Sequence, residues 1–399
     1  MKINTITLLS AAALFAPVAL NAQEAAPAAE AAPAAEVAAP AAQTDEGLKV
    51  TVNDKATITV SGYVQAQYYW SDSDQNTGDA NSGFSIRRAA ISAKGKIGDN
   101  WSAEVGFEID GGSSGGTLDE AFVDKAVISY TSEYGKLTGG YQKTAFVIEE
   151  SSSSKTALTI EHGVASRFFE KHSAFKSIVS RHGGIWWDGK VSLGDKHNAL
   201  KYSVAITNQY QEDFDSDDNS GVAFFGTLGY ELKLDDMKIE LGINGAYNPG
   251  NDDETNNNGN APLGAVYGLE PYAKVTLGDF TGIVDVIWAD GDEDAGIEDM
   301  AWGVNVTAAY RIDDIEPVVR LSYVDVGDNT GLGTGVLKNV PKNSSTQDQE
   351  TAFGIYIGAN WYVNKNIKVS AGYEFTSFDG GDIDDDYANS FRLQLQAVF

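Results

Sequence analysis

The chain has 399 residues, no cysteine, 42 glycines and a formal net charge of −29. Without cysteine, no disulfide can support it after export, and the acidic balance disfavours a nucleic-acid partner. Beyond the first twenty residues no stretch of 18 apolar positions occurs, so no transmembrane helix is expected in the mature chain.

Met1 to Ala22 reads as a secretory signal: Lys2, an apolar run from Ile6 to Leu20, then Asn21-Ala22 before Gln23. Residues 23–50 read as a linker. They open with repeated Ala-Ala-Pro-Ala-Ala-Glu, where the prolines interrupt the helix that alanine favours. An extended periplasmic spacer fits this composition; a cell-wall tether is the sharper alternative.

Residues 51–399 form the main domain. From Ala56 the pattern has period two, the spacing of a strand with unlike faces. Sixteen strands are predicted: 56–70, 84–97, 101–110, 119–131, 135–141, 183–193, 199–209, 221–233, 237–247, 264–277, 279–289, 299–311, 315–326, 351–363, 366–378 and 388–399. Short turns alternate with long polar loops along the whole domain. That layout predicts an all-β, 16-stranded antiparallel transmembrane barrel with long extracellular loops. Soluble sandwiches also use many short strands but do not require strict short-long alternation.

In the last strand Phe391, Leu393, Leu395, Ala397 and Phe399 alternate with Arg392, Gln394 and Gln396. The apolar face would meet lipid and the polar face an aqueous lumen. The terminal Phe399 resembles the C-terminal signal by which the barrel-assembly machinery recognises outer-membrane barrels. Trp101, Trp187, Tyr247, Trp288, Trp361 and Tyr362 lie near strand ends, where aromatic girdles would sit. Sixteen strands enclose enough space for water, so no packed core is expected.

The third long loop, 142–182, is expected to fold inward and set the constriction. It carries Lys143, Lys155, Arg167, Lys171, Lys176 and Arg181 against Glu149, Glu150, Glu161 and Glu170. It also carries His162, His172 and His182 of the chain's four histidines. A locally positive constriction would attract anions; a mixed-charge surface loop is the plainer reading. Strand alternation points Arg88, Lys94, Arg320 and Arg392 into the lumen, and Lys136, Lys190, Lys201, Lys274 and Lys368 with them. Glu104, Glu108, Asp188, Glu231, Glu240, Glu270 and Glu374 share that face. Arg87 is expected to face outward, towards lipopolysaccharide phosphates; a one-residue bulge would exchange Arg87 and Arg88.

Loops 210–220, 290–298 and 379–387 are acidic. They lack the full EF-hand spacing, so a solvated face is favoured over bound Ca2+. No H-E-x-x-H, G-x-S-x-G or P-loop motif occurs, and the expected protein is neither an enzyme nor dependent on a cofactor.

The run Arg87-Arg88-Ala89, Gly95-Lys96-Ile97 and Trp101 resembles the start of the phosphate-selective porin O and P family. Glu120 to Val123 resembles the next strand. Gly135-Lys136-Leu137, Gly140, Lys143, Phe146, Glu149, Glu150 and Ser151 to Ser153 resemble the approach to that family's third loop. Thr144-Ala145-Phe146 replaces its usual Pro-Pro-Phe. The resemblance implies a trimeric Gram-negative outer-membrane channel with a basic constriction. The expected function is passive diffusion of small hydrophilic solutes, with an anion or phosphate preference. A general or cation-preferring porin, and a plugged attachment barrel, are the alternatives.

Overall fold

The structure is a computed structural model that describes residues 47–53, 55–74, 80–111, 118–194, 197–209, 221–250, 264–341, 348–381 and 386–399. The expected signal segment and the expected linker up to residue 46 lie outside the described residues.

Sixteen strands close the barrel: β2 (Ala56–Ser73), β3 (Asn81–Ile97), β4 (Trp101–Gly111), β5 (Leu118–Ser132), β6 (Gly135–Lys143), β7 (Arg181–Ser192), β8 (Asn198–Asn208), β9 (Val222–Leu234), β10 (Met237–Asn248), β11 (Val266–Leu277), β12 (Phe280–Gly291), β13 (Ala301–Tyr310), β14 (Ile315–Asp325), β15 (Thr351–Tyr362), β16 (Ile367–Asp379) and β17 (Asp386–Val398). Each pairs antiparallel with its sequence neighbours, and β17 pairs with β2 to close the ring. Closure pairs the first and last strands of the ring, so the sheet is not left open to lipid. Among the described residues no helix is long and apolar enough to cross a membrane; the crossing elements are the strands.

A short strand that the alternation pattern did not predict, β1 (Leu48–Asn53), joins the seam. β17 covers β2 only from Tyr63 to Ser73. The lower edge of β2 is left to β1, which pairs Leu48 with Val60 and Thr51 with Thr57. At the junction Gly62 and Phe399 exchange both backbone hydrogen bonds, at 2.8 and 2.9 Å.

The wall is inverted relative to a soluble protein. Ile91, Phe107, Ile128, Leu241, Val319, Ile357, Leu393 and Leu395 stand exposed on the outside. Gln65, Gln67, Glu108, Asn244, Asp285, Asn305, Arg320, Ser370, Gln394 and Gln396 are buried on the inside. Outward aromatic pairs lie near strand ends: Trp101 with Tyr130, Tyr267 with Trp288, and Trp302 with Tyr323. Tyr362 departs from the expected girdle. Its hydroxyl donates inward to Glu316 at 2.8 Å, and Arg311 covers its ring.

The expectation of a lumen without a packed core is corrected. Phe146, Val164, Phe168, Phe169, Phe175 and Ile178 of the third loop pack against Ala205, Phe225, Ala246, Ile287, Ala301 and Phe378 on the inner wall. Leu332, Val336 and Val340, after β14, join the same cluster. A hydrophobic core therefore fills one side of the lumen, and inward small apolar residues on the upper strands receive it.

Candidate pore constriction

The third loop leaves β6 at Lys143 and returns at Arg181. Between them lie α1 (Ile148–Ser151), α2 (Val164–Lys171) and a short 3-10 turn, Phe175–Ile178. Polar contacts bind the loop to the wall around much of the ring. The Ile148 amide donates to Glu270 at 2.6 Å, and the Ala165 amide donates to the Ser322 hydroxyl at 3.0 Å. Lys368 and Asn360 donate to the carbonyls of Ala157 and Leu158, both at 3.0 Å. Gln65 and Gln396 donate to those of Ser154 and Lys155 at 3.2 and 3.0 Å. Each contact satisfies a loop backbone group that would otherwise be desolvated without a partner.

Buried arginines reinforce this anchoring. Arg320 donates to Glu149 at 2.8 Å, to Glu374 at 2.7 Å and to the Glu161 carbonyl at 2.6 Å. Arg87 grips Glu161 through Nε and Nη2 at 2.5 and 2.8 Å. Arg167 bonds Glu161 at 2.7 Å and Glu170 at 3.0 Å. Burial works against the Glu161 charge, but Arg87 and Arg167 hold its carboxyl well below the usual range. The outward placement of Arg87 is thus corrected. Arg88 pairs with Gln65 and Ile86 with Ala66, which makes Arg87 the extra residue of a bulge. The bulge turns both arginines to the lumen, with Arg88 near Glu108 at 3.6 Å.

A second bulge has the same effect on β5. Gly106 pairs with Lys125 and Phe107 with Val123, leaving Asp124 extra. Asp124 then receives Arg181 at 2.5 Å, while Lys125 lies 3.5 Å from Glu104. Alternation with the outward Ile128 and Tyr130 would send Asp124 outward; the bulge brings it into the pore.

Between this wall and loop residues Ser151–Lys155 lies a cavity of about 350 Å³. Its charged lining is Glu104, Glu108 and Asp124 against Lys125, Lys143 and Lys155, a balanced set. Lys143 donates to the Glu150 carbonyl at 2.6 Å. Of the expected pore cations, Lys143 and Lys155 line the cavity, while Arg88 and Arg181 pair with lining carboxylates. Arg167, Arg320 and Arg392 lie in the buried network, where Arg392 bonds Ser390 and the Lys338 carbonyl at 2.6 and 2.7 Å. Lys171 is exposed at the end of α2, Lys176 is half-buried in the 3-10 turn, and Lys94 is exposed on β3.

At the short-turn rim, inward positions of β7 to β11 gather five lysines. Lys190, Lys201, Lys233 and Lys238 converge on the buried Glu231 at 2.6, 2.9, 3.4 and 3.4 Å. Lys201 also reaches Glu240 at 2.7 Å, and Lys274 lies over the Tyr272 ring. Lys274 also faces Glu270 and Asp285, so the five ammoniums outnumber the four carboxylates they face by one. Lys233 and Lys238 were missed because they flank the turn at Asp235-Asp236, where alternation is weakest. Of the acidic loops, 210–220 and residues 382–385 lie outside the described residues. In loop 290–298, Asp290 accepts from the Tyr267 hydroxyl and Asp292 from the Ala265 amide.

A wall that carries its leucines outward and its charges inward, narrowed by a loop that leaves an open cavity, belongs to a porin. Such a protein is a multi-pass β-barrel channel of the Gram-negative outer membrane. Comparison with known proteins places it more narrowly: the chain belongs to the phosphate-selective porin O and P family, matched over residues 58–399. Porin O of Pseudomonas aeruginosa is 24% identical over 428 residues, covering 90% of this chain and 92% of that one. Among solved structures, OmpF of Salmonella typhi in complex with daunomycin has a TM-score of 0.57 at 15% identity, over 88% of this chain and 100% of that one. The outer membrane channel DcaP of Acinetobacter baumannii gives 0.56 at 12%, over 88% and 99%. The trimer form of OmpT of Vibrio cholerae gives 0.52 at 14%, over 87% and 100%. At these identities the structures establish the shared fold. The family and these neighbours are channels rather than enzymes.

Proposed function

We propose that this porin favours small anions, phosphate among them, and works as a homotrimer. The observation that carries the anion reading is the gathering of Lys190, Lys201, Lys233, Lys238 and Lys274 at the short-turn rim, four of them around the single Glu231. A ring of like charge with low-dielectric walls raises the local concentration of counter-ions. The family's name supports phosphate as a solute. The balanced lining of the cavity argues for a modest preference. Trimer formation is supported by the trimer form of OmpT. Recognition of Phe399 by the assembly machinery, and cation bridges from the acidic loops to lipopolysaccharide, belong to the same reading and rest on the sequence.

The test is the reversal potential of single channels across a potassium chloride gradient, then with added phosphate. Wild type is expected to favour chloride and to lose current to phosphate. The triple variant Lys190→Gln, Lys233→Gln, Lys238→Gln is expected to lose that preference. Cation selectivity in wild type would overturn the proposal.

A further inference from the structure

Three histidines sit in or beside the constriction loop, and two are occupied by packing. His172 stacks on Phe175 and Phe168 at 4.6 and 5.2 Å between centroids. His182 is fully buried beside Phe225. His162 differs: its Nδ1 faces two carboxylates, Glu170 at 2.5 Å and Glu150 at 3.8 Å. One donor atom from each of these residues lies within 4.8 Å of the others. The three residues come from α1, the segment after it, and α2, so a common ligand would staple the loop to itself.

We propose that Glu150, His162 and Glu170 bind a divalent transition-metal ion of the zinc type in the constriction loop. One imidazole nitrogen and two carboxylate oxygens are a donor set suited to such ions, with a fourth position left for water. Metal-ligand bonds of about 2.0–2.2 Å require donors roughly 3.4 Å apart. The His162–Glu170 pair, at 2.5 Å, must open by about an ångström, and the His162–Glu150 pair, at 3.8 Å, must contract by about half as much. The three side chains keep 8–14% exposure, so an ion has access. The cations facing the cluster are Lys143, Arg167, Lys171 and Arg181. They oppose a further positive ion, yet they keep the ligands ionised. Lys143 lies 3.3 Å from Glu150 Oε1, so the ion takes Oε2, the oxygen that faces His162. Binding would therefore add positive charge beside the cavity.

The test is calorimetric titration of the folded full-length barrel with zinc chloride, in parallel with His162→Ala and Glu170→Gln. One saturable ion per chain is expected, weakened at least ~10–100-fold in each variant, the loss typical when even a supporting partner of a metal ligand is removed. Magnesium chloride should give no comparable binding. Equal zinc binding by wild type and both variants, or no saturable binding, would overturn the proposal. Should either variant misfold, cobalt(II) added to wild type decides. A visible ligand-field band displaced by zinc supports the site, and its absence refutes it.

Discussion

Glu161→Gln tests whether buried charge holds the constriction loop in place. Glu161 is 3% exposed and accepts from Arg87 twice, at 2.5 and 2.8 Å, and from Arg167 at 2.7 Å. Glutamine keeps the shape but supplies one acceptor oxygen, and its amide presses N–H against N–H. Breaking a buried pair by removing one charge costs about 3–5 kcal/mol, because the other charge remains desolvated. That is roughly two to three and a half powers of ten in the ratio of docked to undocked loop. The barrel should survive, since no strand bond is touched. The assay is single-channel recording combined with limited proteolysis in detergent. The variant should show larger, noisier conductance and faster cleavage near Ser151 to Ser154, with unchanged heat-modifiable migration. Adding Arg87→Met should recover part of the effect, a coupling that only contacting residues show. If conductance and cleavage both match wild type, the network does not hold the loop and the reasoning fails.

Three further perturbations separate packing, closure and protonation. At Gly268 a Cβ would strike the ring of Phe146; Gly268→Val should loosen the loop by about 1–3 kcal/mol without altering any charge, visible as the same conductance noise. At Gly62 a Cβ would approach the Ala90 carbonyl and the Phe399 ring, each at 2.6 Å. Gly62→Leu should slow folding into lipid vesicles and lower the temperature of heat modification, whereas unchanged folding would remove the seam from consideration. Burial lowers His172 from 6.5 to about 4. Its folded form is therefore the neutral one, and loop docking should weaken as pH falls from about 6.5 towards 4, by up to ~3 kcal/mol at completion. Conductance noise in chelator-treated buffer should rise across that window; a flat response would contradict the buried placement.

Strand positions were legible because each strand separates two media. Lipid outside and polar groups inside impose period two on every strand, and the long and short connections then alternate by rim. Strand ends moved by at most three residues between expectation and structure. What alternation cannot carry is a change of phase. The bulges at Arg87 and Asp124 each add one residue, and each brings a charge into the lumen that parity sends outward. β1 was missed because its pairing exists only where β17 stops short of the lower end of β2. The loop core was partly legible: Val164, Phe168, Phe169, Phe175 and Ile178 are too apolar for a solvated loop. Which wall would receive them depends on small residues up to two hundred positions away.

The same limit explains the division between arginine and lysine. Parity tells which side of the wall a cation occupies but not whether a carboxylate from a distant segment reaches it. Arg87, Arg167, Arg320 and Arg392 are all nearly or fully buried. Arg87 meets Glu161, 74 residues on, and Arg320 meets Glu149, 171 residues back. A planar guanidinium with several fixed donors suits such buried, multiply bonded positions. Lys190, Lys233 and Lys238 remain about half exposed around one glutamate. An ammonium on a flexible stem stays hydrated and can meet a passing ion without being fixed to one partner. In this acidic chain the buried arginines, with Lys143 and Lys368, build the constriction, and the short-turn-rim lysines charge the water beside it. A porin can hold its loop with strong ion pairs and still present only weak, exchangeable charge to its solutes, which is what permeation without trapping requires.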